Sequence, residues 1–428
     1  MSTKTRFDFP PVFILEMVDH GYAIARELSS YGIKTVGFLP PVKCIESHSR
    51  IPYKTYRIPE NDTDLIQLLV EAQKEFGPVK PVLIQTGENY FPFIYKYLDK
   101  LKSIFAFETP PYPTLKQMLE KDLFNEFARH HNVRIPLSIE VRKGHELSEN
   151  VFDGLQFPLV IKPKHRDKKW KRKFKTQKAV LVNSPEEARS TCEAIFSTAE
   201  RLVMQEWVPG PDANIHFCLT YITTKGEVLA SSCGIKFHQY PALFGNTSAA
   251  IPIQNSYIIE ETHRILKEAQ ITGFCSVEFK KHALTGDFYV IEPTVGRMNR
   301  QELFSMGGKE NVVLKAYCHL AGIPELPQKR HRDNYIYLEE NLDIKSCLDY
   351  HHYKTMNWKR YFKLLRSKKI LPMFMSSKDP LLSLMVLGAS LKHIIYYMFH
   401  GHTKYFSQEG AIDQLIKENQ KIYSSTQI

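Results

Sequence analysis

The sequence predicts an α/β protein. It has a parallel sheet at the N-terminus, an α+β central part and a helical C-terminal extension. Three observations predict this. Short apolar runs alternate with amphipathic helical stretches over residues 12–85. Strand-like segments, several paired through turn residues, recur between helices over residues 157–292. Beyond Pro327 recognisable motifs stop, and an aromatic, basic, partly helical tail begins.

Val12–Leu15 is an apolar run fit for a buried strand. Gly21–Tyr31 follows as a helix with Ile24, Ala25 and Leu28 on one face, and Gly32 ends it. Thr35–Leu39 is the next strand, Asp64–Phe76 a helix and Val82–Gln85 a third strand. This alternation implies right-handed βαβ units. Thr86–Asn89 then falls at the carboxyl edge of the sheet, where ligands bind in such layers. No GxGxxG follows the first strand, so a dinucleotide fingerprint is absent.

Pro-rich Thr109–Thr114 marks a boundary, and Lys116–Asn132 reads as one amphipathic helix. Phe157–Lys162 and Ala179–Val182 are strands flanking a basic segment. Residues 162–178 hold ten lysines and arginines against Asp167 alone, most of the net charge of +11. Such an excess calls for acidic partners, and a positive loop between strands suits a flap over phosphates. A solvated loop, or a nucleic-acid patch stacking through Trp170 and Phe174, fits the same residues. Ser184–Ala199 is a helix capped by Ser184, with Pro185 first and Glu186 and Glu187 suiting the dipole. Leu202–Val208 is a strand, Phe217–Thr223 and Glu227–Ser232 a hairpin, and Ile258–Ala269 and Asn311–Ala321 helices.

The chemistry is concentrated between Phe274 and Asn299. Strands Phe274–Lys281 and Phe288–Glu292 flank a Leu284–Asp287 turn. If the hairpin is centred near Thr285, Glu278 and Glu292 oppose each other with Cβ atoms ~4.5–5.5 Å apart. Two such carboxylates repel unless one is protonated or a cation lies between them. Magnesium suits the place, since it takes one or two carboxylates plus substrate phosphates. Two surface glutamates on unrelated strands fit the same spacing.

The seven cysteines form no CxxC pair, and the N-terminus has no apolar leader. Both predict reduced thiols and a cytoplasmic protein. The apolar stretch 381–399 is read as a packed helix, with membrane contact the secondary reading.

The order of these pieces, over roughly residues 10–327, resembles the ATP-grasp superfamily. The sequence is most similar to its branch of carboxylate–amine ligases (ATP-dependent carboligases). Ile291–Arg297 (IEPTVGR), Gly307-Gly308 and Ser376–Pro380 (SSKDP) carry that likeness. The resemblance implies a pre-ATP-grasp domain at 1–114 and an ATP-grasp domain at 115–327. The latter has a flap lobe at about 157–208 and a metal-binding lobe at about 212–327, with an extension at 328–428. It implies that Lys121 and Lys162 contact ATP phosphates, and that Gln205, Glu206, Trp207 and Val208 form the adenine hinge. Asp212 becomes the ribose contact, Lys236 and Arg297 flank the transferred phosphate, and Glu278 and Glu292 hold magnesium or manganese. Many members carry Asn two residues after the second glutamate. Here Thr294 stands there, and Asn299 is a candidate replacement.

The implied activity joins a carboxylate to an amine through an acylphosphate, with ATP and Mg2+. Small carboxylates and amines are the expected partners, surface-polysaccharide precursors among them, and a homodimer is an expected assembly. A non-catalytic nucleotide-binding protein and a nucleic-acid-binding protein using the 162–178 loop are the alternatives, nucleic acid being the less expected partner.

Overall fold

The structure is a computed structural model and describes residues 9–144, 147–164, 179–243, 245–329 and 334–400. The basic segment 165–178, with Trp170 and Phe174, lies outside them. Among the described residues the strands form three sheets.

The first sheet contains β1 (Val12–Leu15), β2 (Thr35–Leu39), β3 (Lys54–Arg57) and β4 (Val82–Gln85), in order β3-β2-β1-β4 and parallel throughout. Every residue of β1, β2 and β4 is buried. That explains their unbroken apolar runs, as expected of strands covered on both faces. Strand β3 (Lys-Thr-Tyr-Arg) has no apolar run because it is a largely exposed edge. The helices between strands span Asp19–Ser30 and Asp62–Lys74. The second starts before Asp64 because the Asn61 side chain caps it, accepting the Asp64 N–H at 2.8 Å.

The second sheet is antiparallel. Its strands are β5 (Ser138–Arg142), β6 (Leu159–Pro163), β7 (Val180–Val182) and β8 (Arg201–Glu206), in order β5-β8-β6-β7. It takes in β5, ahead of the flap lobe expected from residue 157. Helix Pro185–Ile195 backs it, and Ser184 accepts the Glu187 N–H as its cap.

The third sheet is built from β9 (Ile215–Ile222), β10 (Val228–Tyr240), β11 (Asn246–Pro252), β12 (Gly273–Lys281), β13 (Phe288–Val295), β14 (Tyr335–Leu338) and β15 (Lys369–Pro372). Its order is β13-β12-β9-β10-β11-β14-β15. Strand β10 runs past the expected end at Ser232 to Tyr240, and so carries Lys236. Alternation decides which way β12 faces. Cys275, Val277 and Phe279 pack with Leu115, Phe124, Ile258 and Ile265 under the helices. Glu278 and Lys280 therefore take the other face.

Two sequence expectations need correction. The single helix over 116–132 is two helices, Tyr112–Leu119 and Lys121–His130, broken where Glu120 is extended (φ −85, ψ 123). The apolar period runs across the break, which hides it in the sequence. The break makes Lys121 the first residue of a helix. The expected boundary at residue 114 lies inside the first of the two.

The C-terminal residues are also more than a helical tail. They add β14 and β15 to the main sheet. The Glu340 carboxylate accepts the Phe374 and Met375 N–H groups at 3.1 and 2.6 Å. Arg26, on the first helix, donates to Met375 C=O at 3.1 Å. Tyr335 is 1% exposed, packs on Phe304 and donates to its carbonyl at 2.7 Å. Tyr335→Ala is expected to cost about 3–5 kcal/mol, read as a large fall in Tm. An unchanged Tm would contradict an integral extension.

Candidate active site

A cavity of about 680 Å³ opens where the three sheets meet. Its walls include Lys121, Lys162, Gln205, Glu206, Trp207, Val208, Lys236, Glu278, Glu292, Arg297 and Asn299. The start of helix Asp19–Ser30 contributes His20, and the segment after β4 contributes Thr86, Glu88 and Asn89. The sequence placed Thr86–Asn89 at this carboxyl edge.

Glu278 on β12 and Glu292 on β13 are direct cross-strand partners. A bulge follows at once, with Phe279 pairing to Val290, so Ile291 is the extra residue. Glu292 is exposed toward the cavity, and Glu278 is half-buried. The Lys236 ammonium lies 2.7 Å from the Glu278 carboxylate and neutralises it from β10. Asn299 donates to the Ser276 and Thr294 hydroxyls, both at 3.3 Å. An all-oxygen donor set of two carboxylates, a threonine hydroxyl and an amide is thus gathered on one wall. That set fits a hard divalent cation such as magnesium.

Gly296 brings Arg297 into place. It adopts φ 75, and a Cβ there would lie 2.7 Å from Leu115 Cδ1. Arg297 then donates through Nε and Nη2 to Glu88 at 3.1 and 2.5 Å. This ion pair joins the loop after the first sheet to the third sheet in the cavity wall.

Positive charge is crowded on the inner walls. Lys162 donates to the Gln205 side-chain carbonyl at 2.5 Å. Burial, helped by the like charge of Lys121, pulls its pKa down to about 7, against an opposing pull from Glu292. Lys280 was not foreseen as a site residue, and it is 4% exposed. It donates to Pro211 C=O at 2.6 Å, and burial lowers its pKa to about 8. Its spacing from Glu278, two residues along β12, was the available signal. The Lys280-Lys281 pair at a strand end reads instead as solvated.

The segment from Gln205 to Val208 behaves as a strand end. Trp207 N–H donates to Pro158 C=O at 3.0 Å and Glu206 N–H to Leu137 C=O at 2.9 Å. Gln239 is a second unforeseen residue. It lines the cavity, is 1% exposed, and its Nε2 has no partner among the described residues. Asp212 is the one expected site residue that does not line the cavity. It is buried, accepting the Leu243 N–H at 3.0 Å and the Tyr350 hydroxyl at 2.5 Å. Lys164, from the start of the basic segment, is tied to Asp122 and Glu140 at 2.8 and 2.9 Å.

No family model and no curated protein matches the sequence. Solved structures do match. N5-carboxyaminoimidazole synthetase from Staphylococcus aureus, complexed with ADP, aligns at TM-score 0.59 and 13% identity over 83% of this chain and 86% of its own. L-amino acid ligase from Bacillus licheniformis aligns at 0.52 and 18% identity over 74% and 75%. The biotin carboxylase domain of Hydrogenobacter thermophilus 2-oxoglutarate carboxylase, in complex with MgADP and bicarbonate, aligns at 0.57 and 15% identity over 77% and 73%. The chain has the ATP-grasp fold.

A depressed lysine predicts linked protons. Above its pKa of about 7, Lys162 is largely neutral in the free protein. A bound polyphosphate favours the charged form, so ADP binding near pH ~8 should take up a proton, and the uptake should fade below pH ~6. Calorimetry in buffers of different ionisation enthalpy measures it. Lys162→Met should reduce the uptake. Equal uptake in both proteins would contradict the assignment.

Proposed function

We propose that this protein is an ATP- and magnesium-dependent ligase that joins a carboxylate to an amine through an acylphosphate. The observation that carries the reading is the direct cross-strand pairing of Glu278 and Glu292, in a cavity that also gathers Lys121, Lys162, Lys236 and Arg297. The fold supports the same reading.

Residue roles follow from charge and position. Lys121 and Lys162 are ammonium point charges suited to the nucleotide's phosphates. Val208 and the Gln239 amide, both in the cavity wall, would meet the base. With the Trp207 and Glu206 amides committed to the sheet, hinge pairing falls to the Val208 N–H. Glu278 and Glu292, with Thr294 or Asn299, would hold Mg2+. The metal would supply positive charge that offsets the charge of the phosphates. Lys236 and Arg297 stabilise negative charge developing on the transferred phosphoryl group. The acid would lie beside Asn89 and Arg297, between the first and third sheets. The substrate's carboxylate oxygen attacks the γ-phosphorus and ADP leaves. The amine then attacks the acyl carbon, phosphate leaves with the C–O bond electrons, and the proton lost from nitrogen goes to the departing phosphate. Asp212 acts indirectly, by holding the Leu243 loop beside the nucleotide.

ADP release is expected to need an acid and an amine together. Glu292→Ala should lower it by about 10²–10³-fold or more, measured by coupled ADP detection with the acid–amine pair that supports turnover. Undiminished turnover in the variant would reject the site. ADP release indifferent to added acid would reject the ligase reading.

A further inference from the structure

The C-terminal helices present a surface that the active site does not use. Helix Pro380–His400 is 21 residues long, ~30 Å at 1.5 Å per residue. Leu382 and Val386 sit in the main core with Tyr22 and Phe374, and Ser390 donates to Asn341 at 3.3 Å. The outward side is apolar too. Leu384, Leu391, Ile395 and Met398 recur at helical spacing, exposed by 64, 57, 45 and 73%. By length and composition the helix could cross a membrane. Its inner face is fastened to the protein, however, so it lies along the surface.

A second, independent feature lies in the same layer. Helix Glu340–His352 meets Pro380–His400 through Asn341. On its other side it meets helix Trp358–Ser367, through Asp343 with the Tyr361 hydroxyl and through His351 with Trp358 Nε1 at 3.3 Å. Helix Trp358–Ser367 exposes Trp358 and Phe362, stacked at 5.9 Å between ring centroids. Residues 358–369 hold six lysines and arginines and no acid. An apolar stripe, an interfacial aromatic pair and a run of cations therefore share one helical layer.

We propose that this layer rests on an anionic lipid bilayer. Helix Pro380–His400 lies in the interface plane with its outward stripe among the acyl chains. Lys359, Lys363 and Arg366 meet headgroup phosphates, and Trp358 sits at headgroup depth. Lys392, exposed beside Leu391, reaches the headgroups along its aliphatic stem. Charge argues against a second copy as occupant. A two-fold pairing through this layer would bring the same cations toward their symmetry mates. The inference is independent of the ligase reading.

The test is co-sedimentation of the full-length protein with vesicles of phosphatidylcholine alone or with about one-third phosphatidylglycerol. Binding is expected to be more than about tenfold tighter to the anionic vesicles and to weaken with salt. Leu384→Glu/Leu391→Glu and Lys359→Glu/Lys363→Glu should each reduce it at least about tenfold, with Tm unchanged. All these substituted side chains point outward, so folding is not expected to suffer. Failure to bind anionic vesicles would overturn the proposal, as would binding that survives both double variants. So would a lipid-free dimer that Leu384→Glu/Leu391→Glu dissolves.

Discussion

Two carboxylates opposed in one wall of a cavity form an arrangement that the chain must neutralise. Glu278 and Glu292 are fixed there by the register of β12 and β13, and slippage of either strand by one residue would turn its glutamate toward the apolar face of Val277 and Phe279. The rest of the site follows from this constraint. Lys236 reaches from β10 to neutralise Glu278, Lys280 lies two residues farther along β12, and Lys162 sits within the influence of Glu292. The positive groups repel one another in turn, and burial adds to the cost. The depressed pKa values of Lys162 and Lys280 are the mark of a place shaped for a more negative guest than two glutamates.

The three sheets have separable tasks. The first supplies a carboxyl edge, where Glu88 meets Arg297. The second supplies Lys162 and Gln205 from neighbouring strands β6 and β8, whose pairing brings the two side chains together. The third carries the acidic pair and extends through β14 and β15 into the C-terminal residues. Tyr350, from helix Glu340–His352, donates to Asp212, which holds the N–H of cavity-lining Leu243, so the C-terminal layer also supports the cavity wall.

Much of this was legible in the sequence. Buried parallel strands announce themselves as apolar runs, and β1, β2 and β4 lie where the runs are. The hairpin of Glu278 and Glu292 was legible because turn residues bracket it and a period of two sets the faces. What escaped was set by distant contacts. Strand β3 is an exposed edge with no pattern of its own. The break at Glu120 interrupts the backbone and leaves the apolar period intact. Strands β14 and β15 are defined by pairing to β11 and to each other. Lys280 looks solvated in sequence, and only the fold encloses it. Asp212 shows the converse. Its position after Pro209-Gly210-Pro211 matches a ribose contact, yet the fold turns it toward Tyr350 and Leu243.

The central claim is that Glu278 and Glu292 share a divalent cation when a nucleotide is bound. The most direct measurement is a crystal structure grown with manganese and a non-hydrolysable ATP analogue, with anomalous scattering recorded for the metal. The account predicts an anomalous peak in contact with both carboxylates and with phosphate oxygens. A nucleotide bound in the cavity with Glu278 still paired to Lys236, and the metal peak elsewhere, would contradict it.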